Sequence, residues 1–434
     1  MPLATLEIQS HGTPCRKEDI YVVTAGSHAH VLNAVDRDEH ARKRRTLSHA
    51  FSTKNLALWE YKIAEKVSTL LRVFDRGCIS MPIPTPADTI DFTRWANLFT
   101  IDAIADLALS EKLHLLDKGT EVIATVQTRT EYGGGLGFIE SMHAGNYISS
   151  VFAGATEWFT LLKLLTGFIA PMRAQWEHGK NFGRIVSDLT ENRLERYRQE
   201  EHLNDLFTSL LEDKKGNPRG IEMGQLEAEA TVLLDAGSDT TAIALTHALY
   251  YLIKNPKVLA TVRRELQTVT SDEPIARYDS VKNLPYLKAC PEESLRISPP
   301  LARGPERRTP PEGMKIMGED IAGDVVVSVP TYVAHRDPTV FEDPEIYRPE
   351  RWLEGEGKSK AMREAFILLT AGARGCLGRN ITMMEQKILI ATLVHRYDFA
   401  LLSEDWCLQY NEAFLLWPGT MPVRIWRRGL ETAT

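Results

Sequence analysis

Cysteine is scarce in this chain: Cys15, Cys78, Cys290, Cys376 and Cys407 are the five among 434 residues, far apart and with no Cys-x-x-Cys pair. So small, odd and scattered a set excludes a disulfide framework or a zinc–cysteine cluster and points to a reducing compartment. Long apolar runs are missing too. No uninterrupted stretch reaches the roughly 18–20 residues that span a bilayer, and the N-terminus, Met-Pro-Leu-Ala-Thr-Leu-Glu, has no basic-then-apolar signal pattern. There is no basic excess. Lys and Arg number 51 against 58 Asp and Glu, a net charge of −7 that argues against nucleic acid as the main partner. No internal repeat and no Pro/Gly/Ser linker divides the chain. What remains is an ordinary globular composition, 43% hydrophobic and 25% charged, with ample apolar residues to surround a large buried ligand.

Helical periodicity dominates. It predicts helices over 39–51, 54–74, 92–109, 227–253, from Pro256 through Leu266, over 286–297, and from just beyond Cys376 to about Tyr397. Asn255-Pro256 suits an N-cap and a first-turn proline. Residues 314–333 alternate like short strands, and Met421–Trp426 reads as a closing strand. Gly133-Gly-Gly-Leu-Gly137 reads as a loop, not a nucleotide site, because no strand precedes it and no helix clearly opens after it. Trp158 to Ala170 is almost wholly apolar and too short to span. It fits a core helix first and a segment dipping into a membrane surface second.

Three segments could carry chemistry. In Leu369-Thr-Ala-Gly372-Ala-Arg374-Gly-Cys376-Leu-Gly378, one glycine allows a tight turn and another lets a flat ligand approach the backbone. A helix opening just after Cys376 aims its unpaired N–H groups at the sulfur and favours the thiolate, the metal-binding form. The bland alternative is a buried structural cysteine. Next, Ala236-Gly-Ser-Asp239-Thr240-Thr241 interrupts an apolar helix with residues unsuited to its interior. It predicts a local break in the helical hydrogen bonds, and an acid beside an alcohol makes a proton relay. Last, Glu293-Ser-Leu-Arg296 puts a carboxylate and a guanidinium on one helix face, and Tyr347-Arg-Pro-Glu-Arg351-Trp352 adds another arginine. One glutamate shared by two buried arginines would lock structure.

Together, in this order and spacing, these segments resemble the cytochrome P-450 superfamily of heme-thiolate monooxygenases. His40-x-x-x-Arg44, Leu47-Ser-His-Ala-Phe-Ser52 and His335-Arg-Asp-Pro338 belong to the same pattern, which covers about residues 35 to 430. The stretch from Pro311-Glu-Gly313 to Trp352-Leu resembles fungal members more weakly, the benzoate 4-hydroxylase-like group and secondary-metabolite tailoring enzymes among them.

The resemblance implies a mainly α fold, the cytochrome P-450 helical prism with small β-sheets, over 1–434 as a single domain. It implies heme b (iron protoporphyrin IX) between the Asp239 helix and the Cys376 helix, with the Cys376 thiolate as iron ligand. Asp239 and Thr240 match the acid–alcohol pair that guides protons to dioxygen, and Glu293, Arg296 and Arg351 the structural triad. His40, Arg44, Arg307 and Arg374 match contacts to the heme propionates, although Arg308 leaves the register at Arg307 open. Leu233, Ala236, Leu301, Ala302 and Phe414 are expected to face the substrate pocket, which predicts a largely apolar substrate.

With no flavin or nicotinamide domain in view, electrons come from a separate NADPH–cytochrome P-450 reductase, for which Arg42, Lys43 and Arg45 offer a docking face. Membrane contact through Trp158 to Ala170 and the cytosolic face of the endoplasmic reticulum follow from the same resemblance. Two departures stand out. Leu369 replaces the usual phenylalanine, and little of the family's anchor, hinge, first helix and first strands precedes His40, which leaves open a chain that starts inside a longer protein. Two rival readings are a heme-thiolate isomerase or dehydratase, against which Asp239-Thr240 argues, and a non-catalytic heme-binding remnant.

Overall fold

A computed structural model describes residues 2–23, 26–78, 88–124, 135–269, 274–369 and 372–428. The chain divides into two compact units, one of Met1–Cys15, Ile63–Phe99 and Thr240–Thr434, the other of Arg16–Lys62 and Thr100–Asp239. The long helix Met223–Lys254 passes from the second to the first at Asp239–Thr240.

The larger unit is built on the rest of that helix and on Glu60–Cys78, Pro256–Gln267, Pro285–Ile297 and Arg379–Arg396. Ile63, Val67, Leu70, Leu71 and Phe74 are all buried, the i, i+4, i+7, i+8, i+11 stripe of a core-facing helix. Pro256 and Pro285 each open a helix, where a missing N–H costs nothing. The Asn255 side chain, expected to cap the Pro256 helix, donates instead to Tyr251 O of the preceding one (2.8 Å). Arg379–Arg396, expected as a helix, is buried nearly all round from Met384 to Val394. Short antiparallel sheets complete the unit. Pro422–Arg427 pairs with both Thr89–Asp91 and Tyr397–Leu401, and Met314–Ile316 pairs with Glu319–Ile321.

The smaller unit contains Arg37–Ser48, whose N-cap Asp36 accepts the Glu39 amide at 2.7 Å. Phe138–Ala153 packs along Ala170–Arg198 so closely that a Cβ on Gly145 would lie 2.8 Å from Gly179 Cα. Glycine is required on both helices there because backbone meets backbone.

Four expectations change. Trp158–Ala170 is not a core helix. A 3-10 turn at Thr156–Trp158 leads into Phe159–Thr166, and only Phe159 and Thr166 of that helix turn inward, beside Ile148 and Trp176. Within Gly133–Gly137, residues 133 and 134 lie outside the described residues. Leu136–Gly137 does pair with Val122–Ile123, and a helix does open at Phe138. The strand is two residues long and antiparallel, so this is still not a dinucleotide turn. The helical stretch after Lys54 breaks at Leu58-Trp59 before Glu60–Cys78. Residues Thr331–Ala334 form a helical turn and not a strand.

Candidate heme-thiolate site

The segment before Cys376 is a turn that glycine makes possible. Gly372 has φ +70°, and a Cβ there would stand 2.5 Å from Gln9 O. The Gly375 amide donates to Gly372 O (3.2 Å) and the Cys376 amide to Leu369 O (2.9 Å), closing the loop on itself. Two residues later Gly378 stands at the N-cap of Arg379–Arg396 with no side chain capping the helix. The dipole of that helix start favours an anion near it. Cys376 is exposed, whereas Cys15 and Cys290 are buried, and burial drives the Cys290 thiol well above the usual range. The two classes of cysteine differ in the property that matters for metal binding.

Behind this loop the expected lock is formed. Glu293 is fully buried and accepts five hydrogen bonds. Arg296 Nε and Nη2 donate at 2.9 Å each, Arg351 Nε at 2.9 Å, Trp352 Nε1 at 3.0 Å and the Arg348 amide at 3.1 Å. Sequence reasoning had the three charges but not the indole or amide donors. Such saturation is what lets a carboxylate and two guanidiniums lie in the interior.

The long helix is unbroken from Met223 to Lys254, contrary to the expected break. Its glycine answers to packing: a Cβ on Gly237 would lie 2.6 Å from Ile104 Cγ1. Ser238 returns its hydroxyl to Leu234 O (2.7 Å), within the intact helix. Ala236 and Thr240, one turn apart, are half-buried, while 241–250 are buried throughout. Thr241 Oγ1 donates to Thr382 Oγ1 at 3.1 Å. Beside it Glu385 is buried, and burial pushes its carboxyl up to about 8 against the pull of its Thr241 hydrogen bond. Asp239 is buried and paired with His143 Nε2 at 2.9 Å. Asp235, one turn earlier, accepts from Asn146 Nδ2 at 3.0 Å, and burial raises it to about 6. His143 and Glu385 were not identified from the sequence. His143 sits 96 positions from Asp239 in an unremarkable helix, and nothing in the local pattern marks it.

The remaining candidates divide between the units. Arg374, Arg307, Leu301, Ala302 and Phe414 belong to the larger, His40, Arg44, Leu233 and Ala236 to the smaller. His40 is buried and Arg44 half-buried. Arg307 is buried, donating Nη1 to Glu306 O (2.8 Å), while Arg308 is half-buried and donates to Asp324 O (2.8 Å). Burial thus separates the two arginines that the sequence left in doubt. Ala302 and Leu233 are buried, Leu301 and Phe414 half-buried, and the Leu416 amide ties the Phe414 loop to Pro300 O (2.8 Å). In the basic run, Arg42 and Arg45 are exposed but Lys43 is not. It is buried against Glu229 Oε1 at 3.0 Å and drops out of the expected docking face.

An exposed cysteine at an uncapped helix start, a glycine beside it and a saturated Glu–Arg–Arg lock define the heme-thiolate class of site. The sequence profile of the cytochrome P450 family matches residues 16–421, and the chain belongs to that family. It is 28% identical to benzoate 4-monooxygenase of Aspergillus niger over 97% of this chain and 82% of that protein. It is 31% identical to the cytochrome P450 monooxygenase olcB of Penicillium canescens over 91% of this chain and 77% of that protein. A crystal structure of the cytochrome P450DA heme domain superposes with a TM-score of 0.77, covering 99% of this chain and 87% of that one at 16% identity, which speaks to the fold. The fold is therefore that of the P450s, the cofactor heme b, and the activity monooxygenation with O2, an organic substrate and a redox partner. The donor chemistry fits the cofactor: the exposed soft thiol of Cys376, with no side chain on Gly378 beside it.

Proposed function

We propose that Cys376 is the axial thiolate of the heme iron and that Asp239 and Thr240 deliver protons during insertion of one oxygen atom into a C–H or C=C bond of a largely apolar substrate. The carrying observation is the exposed Cys376 thiol two residues ahead of the uncapped helix Arg379–Arg396. Bound heme supplies dioxygen activation, which thiolate ligation favours. The chain supplies the rest. The helix start favours the sulfur as an anion. The Glu293 lock fixes the backbone on which that loop rests. Thr240 offers a hydroxyl on the half-buried side of its helix, next to a buried carboxylate able to hold a proton for it. His40, Arg44, Arg307 and Arg374 pair with the heme carboxylates.

Leu233, Ala236, Leu301, Ala302 and Phe414 line the substrate side and give it no charge to recognise, which favours an apolar ligand. Benzoate 4-monooxygenase is named for an aromatic acid, and this chain shares its reaction class. Electrons come from a separate NADPH–cytochrome P450 reductase that docks on a basic face including Arg42 and Arg45, in fungal secondary or xenobiotic metabolism. No helix among the described residues is long and apolar enough to cross a membrane. Association with the cytosolic face of the endoplasmic reticulum would run through the exposed apolar residues of 158–169.

The test is the difference spectrum of dithionite-reduced, carbon-monoxide-treated protein, wild type against Cys376→Ser. A red-shifted Soret band lost in the variant is expected. A wild-type band characteristic of neutral axial ligation, or one unchanged by the substitution, overturns the assignment of Cys376. Product formation with reductase and NADPH then separates a monooxygenase from an electron-independent isomerase.

A further inference from the structure

We propose that His143 is the positioning residue through which Asp239 exchanges protons with solvent. This rests on reading Asp239 and Thr240 as the acid–alcohol pair. Asp239 is 2% exposed, so a proton from water needs a carrier, and His143 is 28% exposed with Nε2 2.9 Å from Asp239 Oδ1. One ring reaches both water and the buried carboxylate. Three residues further along the same helix, Asn146 Nδ2 holds Asp235 Oδ1 at 3.0 Å, four residues before Asp239. The two helices are thus joined at points one turn apart.

The charges around the ring suit a carrier. On the long helix Asp239 and Asp235 face it, and Glu121 acts from the segment before the Val122–Ile123 strand. The packed helix Ala170–Arg198 brings His178 to 3.7 Å from Glu140 on the His143 helix. Burial disfavours the imidazolium, but the Asp239 hydrogen bond and these carboxylates outweigh it and raise the ring above its ordinary value of 6.5. The transfer conserves charge along the relay. Nδ1 gains a proton from water as Nε2 releases its own to Asp239 Oδ1, and a ring turn resets the tautomer.

Two readouts test this on the full heme-loaded chain. The first is the His143 titration in the 15N-histidine-labelled, reduced, carbon-monoxide-bound protein, with the resonance identified by His143→Gln. It should lie above the ordinary histidine range in wild type and fall in Asp239→Asn, where burial is less opposed. The second is the pH profile of NADPH oxidation with reductase and no added substrate. His143→Gln should slow it about tenfold or more and remove one titrating limb, with the carbon-monoxide band intact. Asn146→Ala, which breaks the neighbouring contact and spares the ring, should keep the wild-type profile. If Asn146→Ala and His143→Gln shift the profile alike, the histidine is merely structural and the proposal fails. If Asp239→Asn slows oxidation but His143→Gln leaves both rate and profile unchanged, only the carrier role falls. If Asp239→Asn also changes nothing, the acid–alcohol reading falls with it.

Discussion

His335 Nε2 accepts the Ile367 amide at 3.1 Å while its Nδ1 donates to Arg296 O, also at 3.1 Å. An amide can only donate, so Nε2 carries no proton and the neutral Nδ1–H tautomer is fixed by its partners. Arg296 Nη1 answers by donating to His335 O at 2.8 Å. One fully buried imidazole therefore ties the Glu293 lock to the strand of chain that enters the Cys376 loop.

Replacing His335 by alanine should leave the Ile367 amide and the Arg296 carbonyl buried without partners. At about 1–3 kcal/mol for each such group, a loss of about 2–6 kcal/mol in urea unfolding is expected. His335→Gln, which can both donate and accept, should recover part of it. Heme content should fall with the alanine variant even where the protein stays folded, because the cysteine loop loses an anchor. A fully heme-loaded, equally stable alanine variant would sever that link.

Much of this was legible in the sequence. Cys376, Glu293, Arg296 and Arg351 stood out because each depends on local spacing that survives in one dimension, and Pro256 marked a helix start for the same reason. What was not legible depends on distant partners. Lys43 looked like one member of an exposed basic run, and only Glu229, 186 positions away, makes it a buried ion pair. Gly237 looked like a helix breaker because Ile104, the reason for it, lies on another helix. Apolarity placed Trp158–Ala170 in the core, since composition cannot tell whether anything covers a side chain.

The buried titratable groups set a pH optimum for stability. His247 and His335 are fully buried, and burial holds each near 3, against an ordinary value of 6.5. Between those values the unfolded chain binds more protons, so stability falls as pH drops below about 6.5. Glu385 runs the other way. Burial holds it near 8 against 4.5, so the folded protein keeps the extra proton and its contribution is lost as pH rises from 4.5 to 8. On the acid side His30, also held near 3, joins these two histidines against Glu385 and Asp235, the latter held near 6. On the alkaline side Glu385 and His143, both raised in the folded protein, lose their contribution together as pH rises, which puts the maximum near pH 6.5. Urea midpoints from pH 5 to 8.5 should show it, and Glu385→Gln should flatten the alkaline limb. A wild-type midpoint that climbs steadily to pH 8 would contradict the assignment.

Gly237→Ala gives a second energetic test. Alanine is about 1 kcal/mol better than glycine within a helix, but its Cβ would sit 2.6 Å from Ile104 Cγ1, and Ile104 is buried with little room to turn. Overpacking of this kind costs about 1–3 kcal/mol. The substitution should be neutral to destabilising by about 2 kcal/mol in wild type. In an Ile104→Ala background it should stabilise by up to about 1 kcal/mol. The difference is the coupling, read from a double-mutant cycle. A cycle that closes to zero would mean the glycine serves something other than this contact.

The apolar residues that the core does not take up make the last prediction. Phe168 is 79% exposed, Leu164 63% and Trp158 61%, with Leu161, Leu165 and Ile169 exposed around them. Phe159 and Thr166 point inward, so the short helix is amphipathic with its apolar face outward. Fully burying each large apolar side chain is worth about 1.5–3 kcal/mol, and three together would support reversible attachment to a bilayer. Sedimentation with phosphatidylcholine vesicles should therefore detect binding by the wild-type chain. Leu164→Glu with Phe168→Glu should weaken it at least tenfold while leaving the carbon-monoxide spectrum unchanged, because neither residue touches the buried cluster of Ile148, Phe159 and Trp176. Binding that survives both charges would move the membrane contact elsewhere on the chain.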